Sequence, residues 1–263
     1  MIDSQQPYLN RLSRLSKLKP LQEQDFLRTY SDDLMHSRIA RGLGGSAGKS
    51  RDSSALILGP SSNQLYDAMK GSYEIVNQFP LAKLDSIGCL ENFVPVDTVV
   101  CSHLIDWFDP NALLPQAIDS IKPSGELFFS FYGENTTLSL ADLIASEDSK
   151  PHFQPKYAMS DVGDHIAGLG LSNVVLDSER VNLEYTSVEK LIKDAKLIDG
   201  ANFHADRRRG LMPKGIYQRI IARLEAQLKA ENVLTIEIEL CFGRGVKKDT
   251  SSVNVGIPTI QNY

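Results

Sequence analysis

Three consecutive arginines, Arg207, Arg208 and Arg209, with Lys214 shortly after them, are the residues of this chain best suited to binding a charged ligand. Guanidinium forks take carboxylates and phosphates at two points, which a lysine ammonium cannot do. The same four residues also read as a solvated basic loop ahead of a helix. Ser102 and His103 stand together at the end of an apolar run. A histidine there serves either as a base or as a structural ring with both nitrogens partnered. Tyr132 closes another apolar run, a place where α/β sheets line their crevice or carry a rim aromatic. Gly59 ends the run Ala55–Leu58 and opens the turn GPSSN. Residues 42–50, GLGGSAGKS, imitate two phosphate motifs at once. Gly48-Lys49-Ser50 matches the end of a P-loop, while Gly42, Gly44 and Ala47 imitate a dinucleotide fingerprint. Both motifs need a strand before and a helix after them. Here a helix precedes and a strand follows, so the stretch reads as a linker.

Composition narrows the classes. The chain has 263 residues, 42% hydrophobic and 23% charged, enough for one α/β domain with a small lid. A formal net charge of −5 argues against a general nucleic-acid binder. Cys89, Cys101 and Cys241 are odd in number and far apart, which favours reduced thiols in the cytoplasm over disulfides or zinc. No apolar run approaches the roughly 18 residues of a membrane helix.

The elements that must position these residues follow from periodicity. Leu9, Leu12, Leu15 and Leu18 lie three apart, predicting a short basic amphipathic helix over residues 8–19. A second helix over residues 21–41 would turn Phe26, Tyr30, Leu34 and Ile39 inward. Ala55–Leu58 reads as the first core strand, with a helix opening at Gln64, and SYEIVNQF as a second strand. Thr98–Cys101 is a β-branched run without polar alternation, as in a strand covered on both faces. Asp109 is a plausible N-cap with Pro110 at the first helical position. Leu113, Leu114, Ala117 and Ile121 share one helical face, Lys122-Pro-Ser-Gly stops it, and Leu127–Phe131 reads as a parallel strand. Helices follow over residues 138–144 and 161–168. Val174–Asp177 and Val181–Tyr185 read as two short strands around a turn. A helix spans about 216–230, and Thr235–Phe242 forms the last strand.

Several of these segments also resemble a known family. Asp97 opening an apolar strand, Ser102 before a turn, Trp107-Phe-Asp, then Lys122-Pro-Ser-Gly and a strand ending at Phe131-Tyr-Gly are similar to the second half of class I S-adenosylmethionine-dependent methyltransferases. Residues 133–143, with Gly200-Ala201-Asn202 and the Arg207–Leu211 segment, resemble the malonyl-acyl-carrier-protein O-methyltransferases of biotin synthesis more narrowly. The related mitochondrial complex I assembly factors are the nearest alternative. The likeness covers roughly residues 97–245.

That resemblance implies a Rossmann-like sheet, S-adenosylmethionine as cofactor and an acyl carrier protein as partner. It places the cofactor against Gly59, Ser61 and Ser102, and the substrate against Tyr132, Arg207, Arg208 and Arg209. The expected layout is N-terminal helices and linker at 1–50, a methyltransferase-like domain at 51–245 with a lid at about 187–230, and a loose tail at 246–263. No catalytic dyad and no metal is expected, because a carboxylate substrate is already ionised at neutral pH. Two departures stand out. The turn ILGPSSN keeps only Gly59 of a glycine-rich loop, places Ile57 where an acid is usual, and loses a backbone donor at Pro60. Only 38 residues separate Gly59 from Asp97, room for one crossover unit of roughly 30 residues and not two. Glu74 or Asp85 would have to supply the acid for the ribose, since SYEIVNQF carries Asn77 instead. A relative that has lost the cofactor and binds a carrier or another protein is therefore the alternative reading.

Overall fold

The computed structural model describes residues 26–42, 53–59, 63–79, 93–153, 156–199, 202 and 206–249. The expected helix at 8–19, the stretch 43–50, Ser61, Asp85, Cys89 and the tail beyond 249 lie outside the described residues.

Six strands form one sheet: β1 (Ser54–Leu58), β2 (Ile75–Phe79), β3 (Val96–Ser102), β4 (Ile121–Tyr132), β5 (Leu171–Tyr185) and β6 (Leu234–Lys247), in the order β2-β1-β3-β4-β6-β5. The first four are parallel, and β6 runs antiparallel between β4 and β5. Seven helices accompany them among the described residues: α1 (Phe26–Gly42), α2 (Asn63–Ser72), α3 (Pro110–Asp119), α4 (Leu138–Ala145), α5 (Met159–Gly168), α6 (Val188–Asp199) and α7 (Lys214–Glu231). None of them is long and apolar enough to cross a membrane.

Alternation along the strands builds two cores, because successive side chains point to opposite faces. Leu56, Leu58, Val99 and Phe129 pack with Leu113 of α3 and Ile166 of α5. Ala55, Ile57, Val100 and Phe128 pack on the other face with α1, α2 and the lid helices α6 and α7. Asp109 caps α3 as its sequence implies: its side chain accepts a hydrogen bond from the Asn111 N–H at 3.0 Å, and Pro110 occupies the first turn. Asp97, which opens β3, is a structural tie. Its carboxylate accepts from the Ser54 N–H at 2.8 Å and from Lys122 Nζ at 3.0 Å, joining the starts of β1, β3 and β4.

Four expectations are corrected. The inward face of α1 is corrected at its start: Phe26 is 66% exposed and Leu27 is buried instead, while Tyr30 and Leu34 pack half-buried against the core and Met35 and Ile39 are buried. Ser31 and Asp32 are buried on that face too, which an apolar pattern cannot reveal. Residues 174–185 form no turn; β5 is one continuous edge strand paired along β6. Its acidic middle stays extended because α1 satisfies it, Arg38 pairing with Asp177 at 2.5 Å and Tyr30 donating to Glu179. Ile121 belongs to β4, pairing with Val96, and not to the helix before it. The last strand runs past Gly245 to Lys247, whose Nζ donates to the Ile118 and Ile121 carbonyls at 2.9 and 2.7 Å.

Candidate functional site

The parallel register sets the ends of β1, β3 and β4 side by side, with Leu58 opposite Cys101 and Ser102 opposite Ser130. The chain leaves β1 toward β2 on one side and returns to β3 on the other. Open α/β sheets bind ligands outside the strand ends at such a switch point. Gly59 marks it. Its φ is +110°, and a Cβ there would lie 2.2 Å from the Ser102 carbonyl oxygen, so only glycine fits. Its N–H donates to the Phe79 carbonyl at 3.2 Å, tying the turn to the end of β2. By sequence this turn is the expected backbone cradle for a cofactor; in the fold, the glycine is required by its packing against the end of β3.

Ser102 does not present its hydroxyl to that cradle. The residue is fully buried, and its Oγ donates to Asp32 Oδ1 of α1 at 3.1 Å. His103 follows with a left-handed φ of 52° and is held on both ring nitrogens. Nδ1 lies 2.9 Å from Asp106 Oδ2, and Nε2 lies 2.9 Å from Ser31 Oγ. A carboxylate only accepts, so Nδ1 donates, and in the neutral ring Nε2 accepts from the serine. Asp106 Oδ1 in turn accepts the Tyr132 N–H at 3.0 Å. The order serine–histidine–carboxylate is that of a hydrolytic triad, yet Ser31 is 0% exposed on the inner face of a helix. The network thus locks α1 across the strand ends. Five polar side chains, Ser31 and Asp32 of α1, Ser102 and His103 at the end of β3, and Asp106 just beyond, satisfy one another, as buried polar groups must.

Tyr132 was expected either to bind substrate or to sit at the rim. It is buried at 8% exposure, its ring 4.6 Å from that of His103 and 5.7 Å from Lys156 Nζ. The loop carrying Lys156 also carries Asp148, and there the arginine cluster divides. Arg208 Nη2 donates to both oxygens of Asp148 at 2.9 and 3.0 Å, and His152 Nε2 lies 2.9 Å from the same carboxylate. Burial by itself would raise the Asp148 carboxyl, but the hydrogen bonds from Arg208, the Lys150 N–H and His152 outweigh it and hold the group below the ordinary carboxylate value. Arg208 is therefore an internal latch. Arg207 is half-buried, while Arg209, Leu211 and Lys214 are exposed. Asn202 also serves the fold, donating to the Pro151 carbonyl at 2.7 Å.

The remaining candidates are quickly placed. Glu74 is exposed and precedes β2, its N–H bonded to the Ser53 carbonyl, so it lies at the opposite end of the strand from the crevice. Ile57 is fully buried in the same cluster as Leu27 and Met35. Cys101 and Cys241 are buried, and burial pushes each thiol up to about 12. His165 packs on α5 with a buried Nε2. No cluster of metal-binding side chains occurs among the described residues. Sequence reasoning missed Ser31, Asp32, Asp106 and Asp148; the only signal was an acidic pair inside a helix that otherwise reads as amphipathic.

The strand order, the antiparallel final pair and the glycine turn at the switch point define a Rossmann-like sheet of the class I methyltransferase type, one crossover short over the described residues. By sequence the chain is similar to the malonyl-[acyl-carrier protein] O-methyltransferases. It is 30% identical over 158 residues to malonyl-[acyl-carrier protein] O-methyltransferase 1 of Coxiella burnetii, covering 60% of this chain and 55% of that protein. It is 31% identical over 149 residues to the malonyl-[acyl-carrier protein] O-methyltransferase of Laribacter hongkongensis, covering 56% and 50%. The chain thus spans about half the length of the curated relatives it matches. A weaker match, 26% over 133 residues and 45% of this chain, links it to the mouse mitochondrial arginine-hydroxylase NDUFAF5, covering 38% of that protein. Among solved structures, the YcgJ protein of Bacillus subtilis superposes with a TM-score of 0.44 at 12% identity, covering 84% of this chain and 99% of that one. No protein-family model matches the chain.

Proposed function

We propose that this protein transfers a methyl group from S-adenosylmethionine to the free carboxylate of a malonyl group held on an acyl carrier protein, with the cytoplasm as its compartment. The observation that carries the reading is Gly59: a positive-φ glycine, packed against the Ser102 carbonyl at the sheet's switch point, in a chain related to enzymes of that name. When bound, the cofactor supplies an electrophilic methyl on its sulfonium. The turn at Gly59 would hold it, together with Ser61, two residues on in sequence. The substrate carboxylate is already ionised at neutral pH, so the protein's task is alignment and exclusion of water. His103 is not needed as a base, and both its nitrogens are engaged elsewhere. Tyr132, at the end of β4 with Lys156 Nζ 5.7 Å from its ring, is the candidate for the substrate side. Arg209 and Lys214, with Arg207 beside them, offer cations to an acidic carrier and to the phosphate of its prosthetic arm.

Two donors to the cofactor are weakened: Pro60 has no N–H, and the Ser102 hydroxyl is spent on Asp32. At about 1 kcal/mol each, the two losses lower cofactor affinity roughly 30-fold relative to an intact cradle. The test is calorimetric titration with S-adenosylmethionine, followed by transfer of radiolabelled methyl to malonyl-acyl carrier protein. Binding in the tens to hundreds of micromolar with label on the carrier is expected. Silence at millimolar ligand would overturn the proposal in favour of a cofactor-free carrier-binding relative.

A further inference from the structure

We propose that the cavity between α1 and the far half of the sheet binds a small organic anion, one carboxylate or phosphate group on a short apolar body. The cavity measures about 300 Å³, at the lower end of the range for small-molecule sites. Its apolar wall is Met35, Phe128, Val175 and Phe242. Its polar lining is Arg38, Arg41 and Arg244 against a single carboxylate, Asp177.

The arginines are held in place. Arg38 lies 4.0 Å above the Phe242 ring and is pinned by Asp177 at 2.5 Å. Arg244 lies 5.8 Å from the Phe128 ring and pairs with Glu126, which is not part of the lining. Arg41 is exposed at the end of α1, its Nε donating to the Ser37 carbonyl at 3.2 Å. Stacking and ion pairing fix the guanidinium planes before any ligand arrives, which reduces the ordering cost of binding. Asp177 and Glu126 neutralise Arg38 and Arg244, so Arg41 is the lining cation that makes no ion pair among the described residues, and an anion seated on the apolar floor would pair with it. The apolar wall selects an anion that carries a hydrocarbon or aromatic body over a bare inorganic ion.

The cavity is separate from the crevice at the strand ends. Phe128 stands four residues before Tyr132, roughly 13 Å back along β4 at 3.3 Å per residue. An occupant here would not compete with the methyl donor, so this inference stands apart from the proposed reaction.

The test uses the full chain and 8-anilinonaphthalene-1-sulfonate, an aromatic anion whose fluorescence rises on binding. Octanoate, octyl phosphate and uncharged octanol are then added as competitors. Both anions are expected to displace the probe at least tenfold more effectively than octanol, and their ranking tells carboxylate from phosphate. Val175→Trp fills the cavity from a 57% exposed edge position, and Arg41→Glu reverses a charge on its lining. Each should weaken probe binding at least tenfold with the melting temperature unchanged, while Lys193→Ala, at an exposed position of α6, should leave it as in the wild type. If Val175→Trp does not fold, Arg41→Glu alone decides. Absence of probe binding, equal displacement by octanol, or wild-type binding in Arg41→Glu would each overturn the proposal.

Discussion

Replacing Arg208 by alanine separates a latch from a clamp. The perturbation removes the Arg208 Nη2 group, which donates to both oxygens of Asp148, a carboxylate whose side chain is only 3% exposed. Removing one partner of a fully buried ion pair costs about 3–5 kcal/mol, because a charge is left buried alone. Arg208 is itself 30% exposed, and His152 with the Lys150 N–H remains on the carboxylate, so the cost falls to about 2 kcal/mol. For a domain of this size that corresponds to a fall in melting temperature of about 4–8 °C. Arg209→Ala, one residue along and exposed, should cost less than about 0.5 kcal/mol. Arg208→Lys should recover much of the loss, since a single nitrogen makes both contacts and an ammonium can do the same, as Lys122 does on Asp97. Urea unfolding of the three variants, followed by acyl-carrier pull-down of each, reads both effects. Arg209→Ala is expected to lose carrier retention with its stability intact, and Arg208→Ala to lose stability first. Equal unfolding midpoints for Arg208→Ala and Arg209→Ala would refute the latch.

Two further outcomes are expected. Gly59→Ala should cost about 3 kcal/mol or fail to fold, because its Cβ would lie 2.2 Å from a backbone oxygen at a φ of +110°; a variant melting like the wild type would remove glycine's special role there. Asp97 and Asp148 are both held below the ordinary carboxylate value, Asp97 because Lys122 and Ser54 outweigh the opposing effect of burial. Groups with depressed values stabilise the fold above their unfolded-state pKa and lose that contribution as pH falls through the folded one. Stability should therefore be flat from neutrality down to about pH 5 and fall below pH 4, and Asp148→Asn should shrink that acid-dependent part in urea titrations at stepped pH.

Much of this protein is written locally. The run Thr98–Cys101, the Asp109-Pro110 start of α3 and the long helix near 216–230 all follow from periodicity and capping chemistry. These are short-range properties, so reading the residues in order recovers them. Gly59 belongs with them, because a turn at a strand end asks for its freedom wherever the strand lies.

Tertiary structure alone decided which polar residues were turned inward. Ser31 and Asp32 look like the outer face of an amphipathic helix, and β5 looks like two strands broken by Asp177-Ser-Glu-Arg. Each became buried or extended because a partner far along the chain supplied its hydrogen bonds: Ser102 for Asp32, His103 for Ser31, Arg38 for Asp177. Arg207, Arg208 and Arg209 are indistinguishable in sequence, yet one of them meets Asp148, 60 residues earlier, and becomes part of the scaffold. Apolar burial leaves a periodic trace in a sequence; polar burial requires a matched donor and acceptor, and the match exists only once the chain has brought the two together.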